Sequence, residues 1–371
     1  MKNIGIYIHI PFCKQKCYYC DFLSFSNSEE KVDKYIQTLL KEIEYSKIKN
    51  VQVSTIYIGG GTPSIIDEKY IKEIINKIKE NYIVSNQAEM TIEVNPGTVN
   101  ENKIKKYLQI GINRISIGLQ STNDRILKEI GRIHNYEKFL ETYKIARDLG
   151  IKNINVDLML ALPNQSIEDL QESIEKVILL NPEHISVYSL ILEENTKLES
   201  LVLENKVYLP EENLERQMYW LVKRKLQENG YKHYEISNFA KLGYESKHNM
   251  NCWKQMEYLG FGLGAHSYYE GKRFSNVSNL QEYEKNSFKK IVHEVQDENE
   301  KQKEYMLLGL RKIDGIKISE FKNKFALNPL YVFRNEINKL VEANLLAVDA
   351  DYIKLTNKGI DFANIVWQEF V

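Results

Sequence analysis

The stretch Cys13-Lys-Gln-Lys-Cys17-Tyr-Tyr-Cys20 holds three of the four cysteines of the chain, within eight residues and with the spacing C-x3-C-x2-C. Cysteine thiolates hold iron–sulfur clusters, and a [4Fe–4S] cluster commonly takes four of them. Three ligands with no fourth nearby would leave one iron free for an exchangeable ligand, much as a catalytic zinc keeps an open position. The spacing therefore predicts a [4Fe–4S] cluster on Cys13, Cys17 and Cys20.

Two lysines inside this stretch, Lys14 and Lys16, would favour the thiolate form of its cysteines. A zinc site and three reduced structural cysteines are the alternatives. Zinc sites usually pair two cysteine clips at a distance, and the sequence has no second clip. The cluster is therefore the interpretation that the spacing favours.

The residues around the cysteines carry a resemblance to a known family. The run from Tyr7-Ile-His-Ile-Pro-Phe-Cys13 to Cys20-Asp-Phe22 resembles the start of a radical S-adenosylmethionine (SAM) protein. Within that superfamily the chain most resembles the oxygen-independent coproporphyrinogen III oxidase group, and within the group the HemW family of heme chaperones. The resemblance covers nearly the whole chain. It implies that a reduced cluster gives one electron to SAM, which splits into methionine and a 5′-deoxyadenosyl radical.

The composition is that of an ordinary globular protein. The chain has 371 residues, 43% of them hydrophobic and 27% charged, which suggests two domains or one large α/β domain with an appendage. Lysine and arginine number 50 against 51 aspartate and glutamate, so no net field favours nucleic acid or an anionic membrane. The clustered cysteines argue against a disulfide framework and for a reducing cytoplasm.

No targeting or membrane-spanning segment is predicted. The apolar N-terminus runs straight into the cysteine stretch, so a cleaved signal peptide would remove the predicted cluster site. No apolar run approaches the ~20 residues that span a bilayer. We expect a cytoplasmic protein and leave peripheral contact with a membrane open.

Strand and helix patterns alternate through the first 190 residues. Such alternation implies parallel strands joined by crossover helices. Six βα units predict the α/β class and a partial (β/α)6 barrel, whose chemistry would collect at the carboxyl ends of the strands. A doubly wound open sheet gives the same alternation and remains the alternative. The predicted strands are 4–10, 53–58, 88–94, 114–119, 154–160 and 184–190.

The pattern then changes, and we divide the chain into three parts. Residues 1–235 are expected to form the barrel with the cluster and SAM sites. Residues 236–295 form an extension and linker, in which 247–269, rich in Gly, His, Asn and aromatics, is expected to be a functional loop. Residues 296–371 are expected to form a mostly helical, winged-helix-like domain, similar to the C-terminal domain of HemN, the oxidase. Its mixed charges argue against binding of nucleic acid.

A glycine-rich loop, Gly59-Gly-Gly61-Thr62-Pro63, follows the second predicted strand. Glycine lets a ligand approach the backbone closely, but alone the loop fits a tight turn equally well. Beside the cysteine motif, it resembles the radical SAM loop that binds the methionine amino group. Polar residues near other strand ends match SAM-binding positions of the oxidase group, although each alone would more often be a structural hydrogen bonder. The positions that the resemblance implies for SAM are Tyr7, Tyr19, Gly60, Gly61, Thr62, Glu93, Gln120, Arg132 and Asp157.

Two departures separate this chain from the oxidase. The oxidase has a further cysteine where this chain has Phe22, and a longer region before its cluster, whereas twelve residues precede Cys13 here. The stretch His248-Asn-Met-Asn-Cys252-Trp253 resembles the HNxxYW signature of the heme chaperones, with cysteine in the tyrosine position. His248 is therefore the candidate heme ligand, and Cys252 is expected to be a free thiol.

The predicted function is that of a heme chaperone. The protein would bind a [4Fe–4S] cluster, SAM and heme, take electrons from a reductant protein and pass heme to respiratory-type acceptor proteins. The alternative is an oxygen-independent coproporphyrinogen III oxidase, an oxidoreductase of porphyrin biosynthesis, and the sequence leaves open whether the chain is an enzyme. A plain electron-transfer iron–sulfur protein is disfavoured, because it would have no use for the barrel and the loop 59–62.

Overall fold

Strands and helices alternate from the N-terminus, as the periodicity predicts. The computed structural model describes residues 1–26, 28–285 and 289–371 of the chain. The strands up to residue 190 are β1 (Lys2–Ile10), β2 (Phe12–Cys13), β3 (Phe25–Ser26), β4 (Val51–Gly60), β5 (Ile83–Val94), β6 (Arg114–Gln120), β7 (Ile154–Leu160) and β8 (His184–Ser189). The helices that join them are α1 (Val32–Tyr45), α2 (Glu68–Asn81), α3 (Glu101–Ile110), α4 (Asp124–Glu129), α5 (Tyr136–Asp148) and α6 (Ile167–Leu180).

Six strands, β1 and β4 to β8, lie side by side in chain order with parallel pairing. A doubly wound sheet reverses its strand order at a switch point, and these six described strands show no reversal. The predicted α/β class and partial (β/α)6 barrel are therefore confirmed. The apolar faces of helices such as α1 and α2 bury Ile, Leu and Tyr side chains against the sheet, which leaves the barrel interior, the lumen, to the remaining strand residues.

Further strands extend both edges of this sheet. The next elements are α7 (Lys197–Leu203), α8 (Glu212–Glu228), β9 (Lys232–Glu235), β10 (Asn238–Ala240), α9 (Lys247–Trp253), β11 (Tyr258–Phe261), β12 (His266–Tyr269), β13 (Lys272–Asn276), α10 (Leu280–Lys285) and β14 (Lys290–Val295). The strand order is β14-β13-β12-β11-β1-β4-β5-β6-β7-β8-β10-β9. The prediction of a loop at 247–269 is wrong, because β11 pairs in parallel with β1, a long-range pairing that local periodicity does not reveal. Residues 286–288, within the predicted linker, lie outside the described residues.

A buried carboxylate on α1 binds polar side chains of the elements that extend the sheet. Glu42 of α1 has no exposed surface. The Asn276 side-chain amide donates to it at 2.8 Å and the Tyr283 hydroxyl at 2.6 Å, and the Lys290 ammonium forms an ion pair with it. Buried polar groups need such partners. The partners come from β13, α10 and β14, so one acid ties three consecutive elements to the barrel.

The C-terminal part has a core of its own around a small antiparallel sheet. Its elements are α11 (Glu298–Gly309), β15 (Ile316–Lys317), α12 (Ile318–Phe325), α13 (Pro329–Val332), α14 (Arg334–Glu342), β16 (Leu346–Val348), β17 (Tyr352–Leu355), α15 (Asn357–Asp361) and α16 (Ala363–Gln368). Phe321, Phe333 and Phe370 are buried in this core. The hairpin β16–β17 after the helices gives the mostly helical, winged-helix-like arrangement that was predicted. Within the described ranges, every helix is too short or too polar to cross a membrane.

Backbone hydrogen bonds fix the C-terminal part to the barrel edge. The Ile236 N–H donates to the Arg311 carbonyl at 3.1 Å, and the Ile313 N–H donates to the Tyr234 carbonyl at 3.1 Å. Between them, Lys312 forms an antiparallel bridge with Glu235. The segment after α11 therefore behaves as a short added strand beside β9, which holds the two parts in a defined relation.

Candidate functional site

The three motif cysteines lie on the loop that follows β1, at the carboxyl ends of the parallel strands. Cys13, Cys17 and Cys20 are free and half-buried. The short parallel pair β2–β3 closes the base of the loop. The backbone N–H of Tyr18 donates to the Ile130 carbonyl at 3.0 Å, which fixes the far side of the loop to the end of α4. The fold thus presents the cysteines at the end of the barrel where sequence reasoning expected the chemistry.

A chain of polar side chains connects two of the cysteines. The Thr62 hydroxyl donates to the Cys13 sulfur at 3.5 Å and accepts from the Asn95 amide at 2.9 Å. Arg132 donates to the Asn95 oxygen at 3.2 Å and to the Cys17 sulfur at 3.4 Å. Donors and a positive charge next to sulfur favour the thiolate, although burial outweighs them at Cys13 and raises the pKa of its thiol. Cys17, Thr62, Asn95 and Arg132 also line one pocket, so the arrangement fits cysteines that serve as ligands.

The placement of the three thiols bears on which metal group they fit. In the described part of the chain, no three His, Cys, Asp or Glu side chains converge as ligands of one metal ion. A [4Fe–4S] cluster takes each thiolate on a different iron, so it does not require the three sulfurs to converge on one point. Burial raises the pKa of Cys20 to about 11, so its proton would be released only when metal binds.

The glycine loop packs directly against the base of the cysteine loop. A side-chain carbon at Gly61 would lie 2.9 Å from the carbonyl oxygens of Ile10 and Phe12, and one at Gly60, whose φ is +112°, would lie 2.5 Å from the His9 ring. The Gly61 N–H donates to the Ile10 carbonyl at 2.9 Å. Only glycine permits this approach, so the loop sets the position of the cysteine loop.

Two carboxylates face the lumen beside this loop. Glu93 accepts from the Tyr57 hydroxyl at 2.9 Å and from the Gly60 N–H at 3.2 Å. Asp157 accepts from the Asn155 amide at 2.7 Å and from the Ser116 hydroxyl at 3.1 Å. Both acids are half-buried although their strand neighbours are fully buried. Burial raises the pKa of Glu93 to about 7 and also raises the pKa of Asp157.

A cation that sequence reasoning missed lies near these acids. Arg114 is 2% exposed, and its Nε has no hydrogen-bond partner among the described residues. Its charge opposes the effect of burial on the pKa of Glu93 and of Asp157. Arg114 is the first residue of β6, a position at which the sequence predicts an exposed arginine. No local pattern distinguishes it from a surface residue, because the groups that surround it belong to other strands.

Of the two tyrosines predicted for SAM, Tyr7 lies on β1 and Tyr19 lies in the cysteine loop itself. The Tyr7 hydroxyl is 3.0 Å from Nδ1 of His9, and Nε2 of His9 is 2.8 Å from the Leu23 carbonyl oxygen. Because a carbonyl only accepts, Nε2 carries the proton and Nδ1 accepts from Tyr7. Tyr19 lies near Arg132, and burial raises its pKa. His9 thus links the lumen to the cysteine loop, a role that the sequence did not indicate.

The remaining predicted SAM residue, Gln120, ends β6. Its backbone has φ of +71°, in the left-handed region, and the pairing of β6 with β7 shifts by one residue between Gly118 and Gln120. The Gly118 carbonyl accepts from Arg132. This register shift is a β-bulge, and it turns the chain at the end of β6, next to the carbonyl that binds Arg132. The structure therefore brings every residue predicted for SAM to one end of the barrel or into its lumen.

The structure places His248 apart from the cysteines, at the opposite end of the strands. Its ring is buried, with Nδ1 2.9 Å from the Thr55 hydroxyl and its centroid 5.2 Å from the Tyr57 ring. The Glu89 carboxylate accepts from the His248 backbone N–H at 3.0 Å, which caps α9. Burial and the nearby Arg114 lower the pKa of His248 to about 4, so its ring is neutral at physiological pH. His248 thus forms the floor of the lumen.

Comparison with known proteins assigns the chain to a family. Residues 7–177 match the radical SAM superfamily, and residues 296–362 match the HemN C-terminal domain. The heme chaperone HemW of Lactococcus lactis is 36% identical, over 100% of this chain and 98% of its own length. The heme chaperone HemW of Bacillus subtilis is 37% identical, over 98% of this chain and 98% of its own length. The chain belongs to the HemW family.

A solved structure shares the fold of this HemW family member. The radical SAM enzyme coproporphyrinogen III oxidase (HemN) from Escherichia coli matches with a TM-score of 0.87, over 100% of this chain and 90% of that one, at 22% identity. Identity at this level shows the fold alone. The resemblance to the radical SAM superfamily is confirmed, and membership in it implies a [4Fe–4S] cluster and SAM.

Proposed function

We propose that this HemW family member is a heme chaperone, which binds a [4Fe–4S] cluster and SAM and passes heme to respiratory-type acceptor proteins. The observation that carries the proposal is the full-length similarity to heme chaperones named HemW, at 36% and 37% identity. In this proposal residues 1–235 form the cluster and SAM part, 236–295 carry the HNxxYW-like segment, and 296–371 close the barrel edge.

We assign the cluster to Cys13, Cys17 and Cys20. Thr62 and Arg132 support the assignment, because each already donates to one of the sulfurs. A bound cluster would supply the electron for the reductive chemistry of SAM. The protein contributes the position of the cysteine loop and the positive charge of Arg132. The short β2–β3 pair closes the bottom of this loop and limits access of water to it.

We assign SAM to the residues around the lumen mouth. The half-buried carboxylate of Glu93 suits an ammonium group, and Asp157 with Gln120 suits ribose hydroxyls. Arg132 suits a carboxylate, and its Nε has no partner among the described residues. Tyr7, Tyr19 and the loop 59–62 complete the proposed site.

The alternative function, decarboxylation of coproporphyrinogen III, lacks such support. The similarity to the oxidase structure extends to the fold alone, and Phe22, 62% exposed, stands where the oxidase has a further cysteine. Incubation with coproporphyrinogen III, SAM and a reductant without oxygen distinguishes the two. Turnover to protoporphyrinogen IX would contradict the chaperone proposal.

We assign heme to the floor of the barrel, at the segment that begins with His248. In the described conformation Thr55 and Tyr57 hold the His248 ring, so ligation of heme iron requires the ring to swing out of the lumen. Titration with hemin should give a saturable Soret band. His248→Ala should weaken or shift it, and Thr55→Val, which releases the ring while keeping the volume, should preserve it.

The matched control for this titration is His293→Ala, because His293 is exposed on the edge strand β14. It should bind hemin as the wild type does. An unchanged spectrum in His248→Ala would move the ligand elsewhere. Absence of saturable binding in the wild type would contradict the proposed function itself.

A further inference from the structure

Another cavity lies at the amino ends of the strands, away from the cysteines. This cavity, the floor cleft, has a volume of about 640 Å³ and is lined by parts of α9, of β4 and of the C-terminal part, including Thr55, Met250, Lys254, Lys312 and Lys317. Its volume is within the range of roughly 300–1,000 Å³ typical of small-molecule sites. Of the described residues that line it, five are lysines and three are acidic. The floor cleft therefore carries an excess of positive charge.

One of these lysines is buried and has no anionic partner. Lys312 is 7% exposed, and no described residue forms an ion pair or a side-chain hydrogen bond with its ammonium. Asp314, which also lines the cleft, pairs instead with Lys232 at 2.8 Å. Burial lowers the pKa of Lys312. The negative charges of Glu320 and Asp314 offset part of this shift, although neither carboxylate contacts the Lys312 ammonium. A buried charge without a partner is unfavourable, so this position suits an anion that the chain itself does not supply.

The position of Lys312 is fixed by the backbone. Its bridge to Glu235 and the flanking hydrogen bonds of Ile236 and Ile313 hold the segment against β9. Next to it, the Arg311 guanidinium lies between the rings of Trp253 and Trp367, at 4.5 Å and 4.7 Å from their centroids. A lysine held in this way acts as a fixed counter-ion.

The other walls of the floor cleft favour an anion with a large apolar body. Met250 and Met256 bring thioethers to it, and Tyr234 and Tyr352 bring rings. Thioether sulfur packs well on flat unsaturated surfaces and is itself a heme ligand type. Thr55, which holds His248 from the lumen side, also lines the cleft.

We propose that the floor cleft binds heme through its carboxylates, with Lys312 as the buried counter-ion and the methionine-lined wall against the ring. This inference rests on the proposed function and adds the site and the group that recognises the ligand. The C-terminal part is then a wall of the heme site, because it contributes Lys312, and heme bridges the two parts of the molecule.

The test is an optical titration of the full chain with hemin and with hemin dimethyl ester, which lacks free carboxylates. Lys312→Met should weaken hemin binding by roughly tenfold or more, as expected for loss of a buried charge partner. It should leave binding of the ester unchanged, and the ester should bind the wild type more weakly than hemin does. Because the substitution removes an unpaired buried charge, the variant should remain folded.

Lys322→Met, on the exposed face of α12 and outside the cleft, is the matched control and should behave as the wild type does. Equal hemin affinity in Lys312→Met and the wild type would overturn the assignment of the cleft, as would an equal loss for hemin and the ester. Either result would leave the chaperone proposal standing as long as the wild type binds hemin. Only failure of the wild type to bind would remove both.

Discussion

The cysteine end and the floor of the barrel solve opposite electrostatic problems. At the cysteine end, the donors of Thr62, Asn95 and Arg132 already form a chain that ends on two sulfurs. At the floor, Lys312 is buried without an anion. Hydrogen-bond donors next to sulfur are typical of a site whose own cysteines become anionic ligands. A buried lysine without a partner is typical of a site that binds an anionic ligand from solution. The difference supports our proposal of two binding sites with separate chemistry.

The largest effect is expected in iron content, when a cysteine is replaced at the cysteine end and, for comparison, near the floor. Cys17→Ser should reduce iron from about four per chain to a small residue after anaerobic reconstitution, because three thiolates are needed. Cys252→Ser should retain full iron, since Cys252 lies on α9 near the floor. Hemin affinity should be the same in both variants. Loss of iron only when Cys252 is also removed would contradict the three-ligand assignment.

Arg132 provides the next test at the cysteine end. Arg132→Met should weaken SAM binding to the reconstituted protein by roughly a hundredfold, because it removes the half-buried positive charge that we assign to the carboxylate of SAM. Calorimetric titration with SAM measures the loss. Arg125→Met is the control, since Arg125 pairs with Glu129 on the exposed surface of α4. Equal SAM affinity in the two variants would place the SAM carboxylate elsewhere.

Glu93 gives the cysteine end a dependence on pH. Burial raises its pKa from 4.5 to about 7, so the folded protein retains a proton that the unfolded chain has released. This contribution to stability is full below pH 4.5 and is lost as pH rises through about 7. Glu93→Gln should therefore reduce the difference in unfolding free energy between pH 5 and pH 8 by about 1–3 kcal/mol.

Urea denaturation of the cluster-free protein at the two pH values measures this change. The exposed Glu101 on α3 supplies the control, Glu101→Gln, which should show the wild-type dependence. The same pH dependence in Glu93→Gln as in the wild type would mean that another group carries it.

The smallest effect concerns how the floor is held together. Arg311→Met should lower the unfolding free energy by about 1–2 kcal/mol, because it removes the cation between the Trp253 and Trp367 rings. Arg224→Met, at an exposed position of α8, should change it little. Thermal unfolding followed by tryptophan fluorescence compares the two. Equal stability would show that the ring contacts of Arg311 add nothing to the attachment of the C-terminal part to the barrel.

Much of the cysteine end could be predicted because its groups follow strands whose periodicity is local. Cys13 follows a predicted strand, whereas Glu93 and Asp157 lie within predicted strands, and parallel pairing brings such positions together. His9 and Arg114 were missed since each resembles an ordinary strand residue until the neighbouring strands are placed. The contacts that give them a role are made across the sheet.

The floor could not be predicted in the same way. Lys312 reads as a surface lysine after a helix, and only its bridge to Glu235, 77 residues earlier in the numbering, buries it. The strand β11 is four residues long and depends on pairing with β1. The sequence signalled the region solely through the HNxxYW-like stretch at His248. Pairing over long distances, rather than propensity, determines this half of the molecule.

A hemin titration of the full chain, with and without the reconstituted cluster, tests most directly whether heme and the cluster occupy separate sites. We expect saturable binding of one heme per chain in both forms, with similar affinity, because we assign heme to the floor and the cluster to the cysteine end. Saturable binding that disappears with the cluster would place heme at the cysteine end. No saturable binding in either form would contradict the assignment of this chain as a heme chaperone.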